Sequence, residues 1–549
     1  MTVGSVCARR ISGLLLGLVL LANGNARGEL IRVGGLATPS ITEIVAYDRF
    51  TNRLFATSGA GIAVVEFGNG SNLSTSATSI SLAGLFGGAL KDVTSVAIDP
   101  LGRGFGALTA IPNASSSVLG KVVLFDTATG AVLQELDVGY HPDMVTFTPD
   151  GSRVLVANEG EPANGSDAPG SISVINVSSV AGVGDVSSLS AANVLTTDFS
   201  AGNLGPAVPA LGSLRINPAN AATPERDLEP EYITVAGDKA YVSLQEANAI
   251  GVFDLSTHKW IDILQLGTIQ QTIDASDSEN AININDLVHG LPMPDGIASF
   301  QVGSQTYLVT ANEGDGRDNS SGFNIPDEAR ANTTGLVEPG AANLNNITGI
   351  GRLTLSKFDG NIDGDTQIEI PTMFGTRSFS IWNADTGALV ADSGSQFEQI
   401  TAALVPSLFN SELSKTSEFD KRSDNKGPEP ESVVVGESRG RTYAFVGLER
   451  TGGLMQFDVS NPSAPRFIDY INTGLLHGTA APEGLFFIPS WMSPNGQTFV
   501  VAAYEGAGGL EVFAVVPEPT SLLLMMTGAV GLWMVRRRGL RGGPGAGAC

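Results

Sequence analysis

Apolar residues come in short runs of about 4–8, some alternating with polar positions and some continuous, and Gly, Pro, Asn and Asp cut them apart. Leu228-Glu229-Pro230-Glu231-Tyr232-Ile233-Thr234-Val235 is followed, after Gly237-Asp238-Lys239, by Ala240-Tyr241-Val242-Ser243-Leu244-Gln245-Glu246. This period-2 pattern around a tight turn predicts a hairpin with an acid just before the first strand and another just after the second. The phrase recurs with the pairs Asp143 and Glu159, Asp295 and Glu313, Glu431 and Glu449, and Glu483 and Glu505. In each copy the opening acid directly follows a proline: Pro142, Pro230, Pro294, Pro430 or Pro482.

Two earlier segments, opening at Glu43 and at Asp92, keep the hydrophobic rhythm and lose part of the acidic punctuation. A third strand ending in aspartate follows in several copies, at Asp126, Asp254 and Asp458. About seven repeats of three or four short strands predict an all-β fold, a seven-bladed β-propeller with long inserted loops. The insertions are expected at about 178–227, 256–292, 319–348 and 396–427, and residues 396–409 of the last have helix-compatible spacing.

A propeller would bring the repeated acids to one mouth of its central channel. The candidate metal-binding set is Asp143, Glu159, Glu231, Glu246, Asp295, Glu313, Glu431, Glu449, Glu483 and Glu505. Such crowding requires a divalent cation, basic partners or raised pKa values. The alternative is that each acid caps a local turn or bonds backbone amides. Oxygen ligands without His or Cys clustering suit Ca²⁺, our expected cofactor. The four histidines, His141, His258, His289 and His477, stand at unrelated positions, which speaks against a histidine-based centre. Asp359, Asn361, Asp363 and Asp365 form a second, weaker candidate resembling half a calcium loop, with Ile370 where the bidentate glutamate would stand.

The net charge of −25 argues against nucleic-acid partners, and 67 glycines with 28 prolines suit a turn-rich β protein. Both cysteines, Cys7 and Cys549, fall in segments that look processed, so no disulfide is expected in the mature domain. Arg9-Arg10, the apolar run at 11–21 and Gly24-Asn25-Ala26 predict a secretory signal peptide over residues 1–26. At the other end, Pro517-Glu518-Pro519 precedes a fourteen-residue run, 522–535, with Thr527 as its one polar side chain, and then Arg536-Arg537-Arg538. This run is shorter than the roughly 20 residues of a comfortable membrane span, and with the arginines behind it can arrest transiently in an inner membrane.

Residues 516–540 resemble a PEP-CTERM sorting signal. That resemblance implies cleavage by an exosortase-type protease and delivery to the cell surface or extracellular matrix of a Gram-negative bacterium. The body, about 30–515, resembles the choice-of-anchor I family of propeller-like exported proteins. The phrases that carry the likeness are His141-Pro142-Asp143-Met144-Val145, Val156-Ala157-Asn158-Glu159-Gly160, Thr310-Ala311-Asn312-Glu313-Gly314 and Lys426-Gly427-Pro428-Glu429-Pro430-Glu431. The resemblance implies fold and location, and brings no established reaction. The expected function is a cation-dependent binding or structural module, with an extracellular polysaccharide or other surface polymer as the candidate partner.

The rival expectation is a calcium-dependent phosphoesterase, because some relatives resemble alkaline phosphatases and the fold resembles calcium-dependent phytases. Its candidate groups are Glu431 with the cations Arg450, Lys426 and Arg317, and also Arg377, although salt bridges relieving the ring's own repulsion are the preferred reading of these cations.

Overall fold

The computed structural model describes residues 29–38, 42–114, 117–162, 166–317, 326–341, 346–506 and 508–516. The expected signal peptide lies outside them, as does nearly all of the expected sorting tail. The described residues are all-β, built mostly from antiparallel sheets with few helices. No helix among them is long and apolar enough to cross a membrane.

Seven sheets follow the repeats. In chain order their first two strands are Val45–Asp48 with Arg53–Thr57, Val96–Ile98 with Phe105–Pro112, Pro142–Phe147 with Arg153–Asn158, Pro230–Ala236 with Lys239–Leu244, Ile297–Val302 with Gln305–Ala311, Pro430–Ser438 with Arg441–Leu448, and Pro482–Ile488 with Phe499–Tyr504. The first strand of each sheet packs on the first strand of the next, and that of the seventh packs on that of the first. The outermost strand of the seventh sheet is Glu29–Ala37, from the start of the described chain, which pairs antiparallel with the final strand Gly509–Val516.

Because the second and third strands are buried on both faces, apolar side chains serve two interfaces. Each neighbouring pair of sheets shares its own core. Ile172 and Val174 of the third sheet meet Val242 and Phe253 of the fourth, Tyr241 and Ile250 of the fourth meet Leu308 and Trp382 of the fifth, and Val45 and Leu54 of the first meet Val501 and Val512 of the seventh. Trp260 fills the third-to-fourth interface, stacked 4.3 Å from Phe199.

The insertions hold more structure than the sequence pattern conveys. The stretches expected to loop out at 178–227 and 256–292 contain the outer strands Val194–Asp198 and Lys259–Gln265. Val194–Asp198 buries only the polar Thr197, and a register slip interrupts the alternation of Lys259–Gln265, so neither carries a clean period-2 apolar signature. Later insertions build a sheet of Ile269–Ile273, Asp286–Leu291 and Thr372–Phe374, and a small hairpin of Glu328–Arg330 with Thr354–Ser356. The expected helix is present over Gln396–Leu404 and stops before Pro406, whose ring disfavours helical backbone at Val405.

A candidate cation site in the central mouth

Three local devices place the repeated acids. The first is a β-bulge: the ladder slips between Pro142 and Met144, Pro230 and Ile233, Pro430 and Val433, and Pro482 and Leu485. Each slip spans an opening acid, and a bulge turns its extra residue out of the ladder. The second is a left-handed residue two positions before the acid, at His141, Met293, Glu429 and Ala481, with φ of 44°, 42°, 52° and 55°. Its carbonyl accepts the N–H of the closing acid in three repeats: Glu159 to His141 at 2.9 Å, Glu449 to Glu429 at 2.8 Å and Glu505 to Ala481 at 2.9 Å. The proline between lacks an N–H, so no donor is stranded by the kink. The third is close approach between repeats. A Cβ at Gly484 would sit 2.2 Å from the Glu43 carbonyl, and one at Gly296 would sit 2.7 Å from that of Glu431.

Nine of the ten candidate acids line one cavity of about 280 Å³: Asp143, Glu159, Glu231, Asp295, Glu313, Glu431, Glu449, Glu483 and Glu505. Glu43 and Asp315 join them, making eleven carboxylates against one lining cation, Arg450. Glu43 lies outside the candidate set because its segment ends at Thr57 and lacks the closing acid. In the second repeat Thr94, not Asp92, lines the cavity. Aligning the turns Pro100-Leu101-Gly102 and Pro149-Asp150-Gly151 would have placed Thr94 opposite Asp143.

Glu246 is the member that the structure moves away. Pro230 pairs with Leu244, so the residue just past that pair is Gln245, which takes the position held by Glu159, Glu449 and Glu505 in their repeats. Glu246 is buried one residue further on, among Glu229, Arg317 and Glu159.

Burial is the largest influence on these carboxyls, and mutual repulsion adds to it. Asp143 and Glu43 are pushed up to about 7. Glu231, Asp295, Glu431, Glu449 and Glu483 are raised well above the usual carboxylate range. Burial raises Asp295, with the nearby charges of Glu313 and Asp143 adding to it. Two clusters bring ligand oxygens within 4.8 Å of one another: Glu313, Glu431 and Glu449, and Glu449, Glu483 and Glu505. Glu431 is 8% exposed, and its Oε2 has no hydrogen-bond partner.

The candidate cations are already engaged. Lys426 Nζ lies 2.8 Å from Glu313 and 2.8 Å from Asp315. Arg450 reaches Glu449 at 3.0 Å, Glu412 at 3.1 Å and Glu429 at 3.3 Å. Arg317 holds Glu229 at 3.0 Å and Asp227 at 3.2 Å, outside the cavity lining. Arg377 is not a mouth residue: it is 1% exposed and ties Glu398 of the helix and the carbonyls of Asp274, Ser423 and Asn425.

The second calcium candidate is brought together only in part: Asp363 and Asp365 bring carboxylate oxygens within 4.8 Å of one another and of Glu369, while Asp359 and Asn361 are engaged elsewhere. Asp359 is held by Arg215 and Ser356, Asn361 caps Gly364, and Asp363 and Asp365 accept backbone N–H groups while approaching Glu369. His141, isolated in the sequence, lies 3.2 Å from both Glu159 and Glu161.

The choice-of-anchor I domain matches residues 43–462, more than half the chain. The chain belongs to the choice-of-anchor I family. A PEP-CTERM protein-sorting motif matches residues 515–538. This choice-of-anchor I protein is therefore exported, recognised by exosortase-type processing machinery and sorted to the surface of a Gram-negative cell.

It is 31% identical over 184 residues to Gigasin-3a of Magallana gigas, covering 30% of this chain and 64% of that protein. It is 30% identical over 324 residues to a mesenchyme-specific cell surface glycoprotein of Strongylocentrotus purpuratus, covering 49% of this chain and 42% of that one. The chain thus spans less than two thirds of either relative. Among solved structures, hydrazine synthase of Kuenenia stuttgartiensis aligns over 88% of this chain and 98% of its own, at 11% identity and a TM-score of 0.45.

Proposed function

We propose that this surface-sorted protein is a seven-bladed β-propeller whose central mouth binds Ca²⁺, and that it serves as a cation-dependent binding or structural module, with an extracellular polysaccharide or other surface polymer as its partner class. Support for the propeller comes from the cyclic packing of first strands and from an apolar core between each neighbouring pair of sheets. Support for the cation comes above all from one observation: eleven carboxylates converge on a single cavity with Arg450 as the lining cation. The donor set fits the ion. Ca²⁺ takes six to eight oxygens in irregular geometry, and Glu431 Oε2 is a buried donor atom still without a partner.

A calcium-dependent phosphoesterase would need free cations to take up charge on the phosphoryl oxygens. Lys426, Arg450 and Arg317 already serve carboxylates, which favours the binding reading.

Isothermal titration of the purified chain with CaCl₂ at pH 8, paired with thermal melts in CaCl₂ and in chelator, tests this function. The expected result is saturable binding with Kd below about 10⁻³ M and a Tm that rises with calcium. A chain whose Tm is the same in calcium and chelator, with no heat of binding, overturns it.

A further inference from the structure

Next to the acidic mouth, on the turn that enters the third sheet, three donor atoms from different residues converge. His141 Nδ1 lies 3.2 Å from a carboxylate oxygen of Glu159 and 3.2 Å from one of Glu161. All three ligand atoms fall within 4.8 Å of one another. The placement follows from the repeat. His141 is the left-handed residue before Pro142, and its carbonyl receives the Glu159 N–H, which carries the imidazole to the end of the second strand. Glu161 follows two residues later through the Gly160 turn.

The imidazole is 8% exposed, and Nδ1 is a buried nitrogen with no aligned hydrogen bond despite two nearby carboxylates. A hydrogen-bonded ion pair would aim the N–H at one oxygen or between the two. Two oxygens at the same distance, neither in line, suit an atom placed among all three. A tetrahedral site with bonds of about 2.0–2.1 Å has donor-to-donor edges of about 3.3 Å, which the two 3.2 Å separations match.

We propose that His141, Glu159 and Glu161 form a binding site for a divalent transition metal of the Zn²⁺ class, separate from the calcium site of the mouth and adjoining it through Glu159. One imidazole nitrogen with two carboxylate oxygens selects this class over Ca²⁺, which prefers oxygen alone. Three protein ligands leave a fourth position for water or an exogenous group.

The test is titration of the full chain with ZnCl₂ in saturating CaCl₂, alongside Co²⁺ as a spectroscopic probe, for wild type, His141→Asn and Glu161→Gln. Asparagine tolerates the left-handed backbone at 141, and Glu161 is half-exposed, so at least one variant keeps its fold.

The expected result is one Zn²⁺ bound by wild type and a loss of affinity of at least about tenfold in each folded variant. Even outer-shell changes cost roughly 10–100-fold at metal sites. The visible Co²⁺ bands of wild type disappear in His141→Asn. Calcium affinity in Glu161→Gln, whose carboxylate is not among those lining the mouth, stays at the wild-type value, which separates this site from the mouth. Absence of Zn²⁺ binding in wild type, or Zn²⁺ affinity indifferent to both substitutions, overturns the proposal.

Discussion

Lys426 Nζ meets Glu313 Oε1 at 2.8 Å inside the protein, and the same carboxylate receives the Gln245 amide at 2.7 Å through its other oxygen. Glu313 is thereby neutralised by the chain itself, while Glu431 beside it keeps a bare oxygen. Lys426 thus works as a built-in counterion on one side of the mouth. Lys426→Met should destabilise the calcium-free chain by about 3–5 kcal/mol, since it strands buried charge, and should enlarge the rise in Tm that calcium produces. Melting curves in chelator and in calcium check both signs.

Glu431→Gln should act in the opposite direction. The buried carboxyl is raised well above its ordinary range, so glutamine resembles the protonated form of the calcium-free chain. Near pH 5 the variant should melt with wild type, and near pH 9 it should melt higher. Its calcium affinity should fall at least about tenfold, about 1.4 kcal/mol, as measured by titration calorimetry.

The pH dependence of the calcium-free chain follows from Asp143 and Glu43, raised by burial and neighbouring carboxylates from 3.8 and 4.5 to about 7. A carboxyl with a raised folded-state pKa holds its proton more tightly when folded, so its contribution to stability is fully present below the unfolded pKa. That contribution is lost as pH rises through about 7 for these two groups. Tm in chelator should therefore fall from about pH 4 to pH 7 through these groups, and further above pH 7 as the more strongly raised members ionise. Saturating calcium should flatten the slope above pH 7, because bound ions replace protons. A scan of Tm against pH in both conditions reads this directly.

Arg377 and Glu398 meet at 2.6 Å with exposures of 1% and 0%, fastening the helix Gln396–Leu404 to the turn that leads into Phe379–Asn383 of the fifth sheet. Removing one partner leaves a buried charge without compensation. Arg377→Ala should cost about 3–5 kcal/mol and, because the same guanidinium holds the Asn425 carbonyl beside Lys426, should also change calcium affinity in whatever fraction folds. Chemical denaturation and calorimetry measure the two quantities.

Truncating Trp260 to alanine should cost about 3–5 kcal/mol, since its ring packs against both Phe199 and Phe253 between two sheets. The same denaturation experiment reads it, with no change expected in metal binding.

Much of this was written in the chain. Period-2 apolar runs, Pro-acid openings and aspartates closing the third strands determined the β class, the repeat number and most of the mouth acids, because these features act over a few residues. Asp126, Asp254 and Asp458 do sit at third-strand ends, accepting backbone N–H groups of the next turn. Two outer strands escape that pattern because Val194–Asp198 buries a threonine and Lys259–Gln265 slips register.

What the tertiary structure alone decided depends on register and on what lies across a gap. Pairing of Pro230 with Leu244 put Gln245 in the mouth and turned Glu246 away, a one-residue distinction invisible to composition. The union of the N-terminal strand with the last strand, the partners of Lys426 and Arg377, and the meeting of His141 with Glu161 all arise from the path of the folded backbone. Charge and hydrophobicity are properties of residues and can be read in order; repulsion, burial and coordination depend on distances, which exist only once the chain has closed on itself.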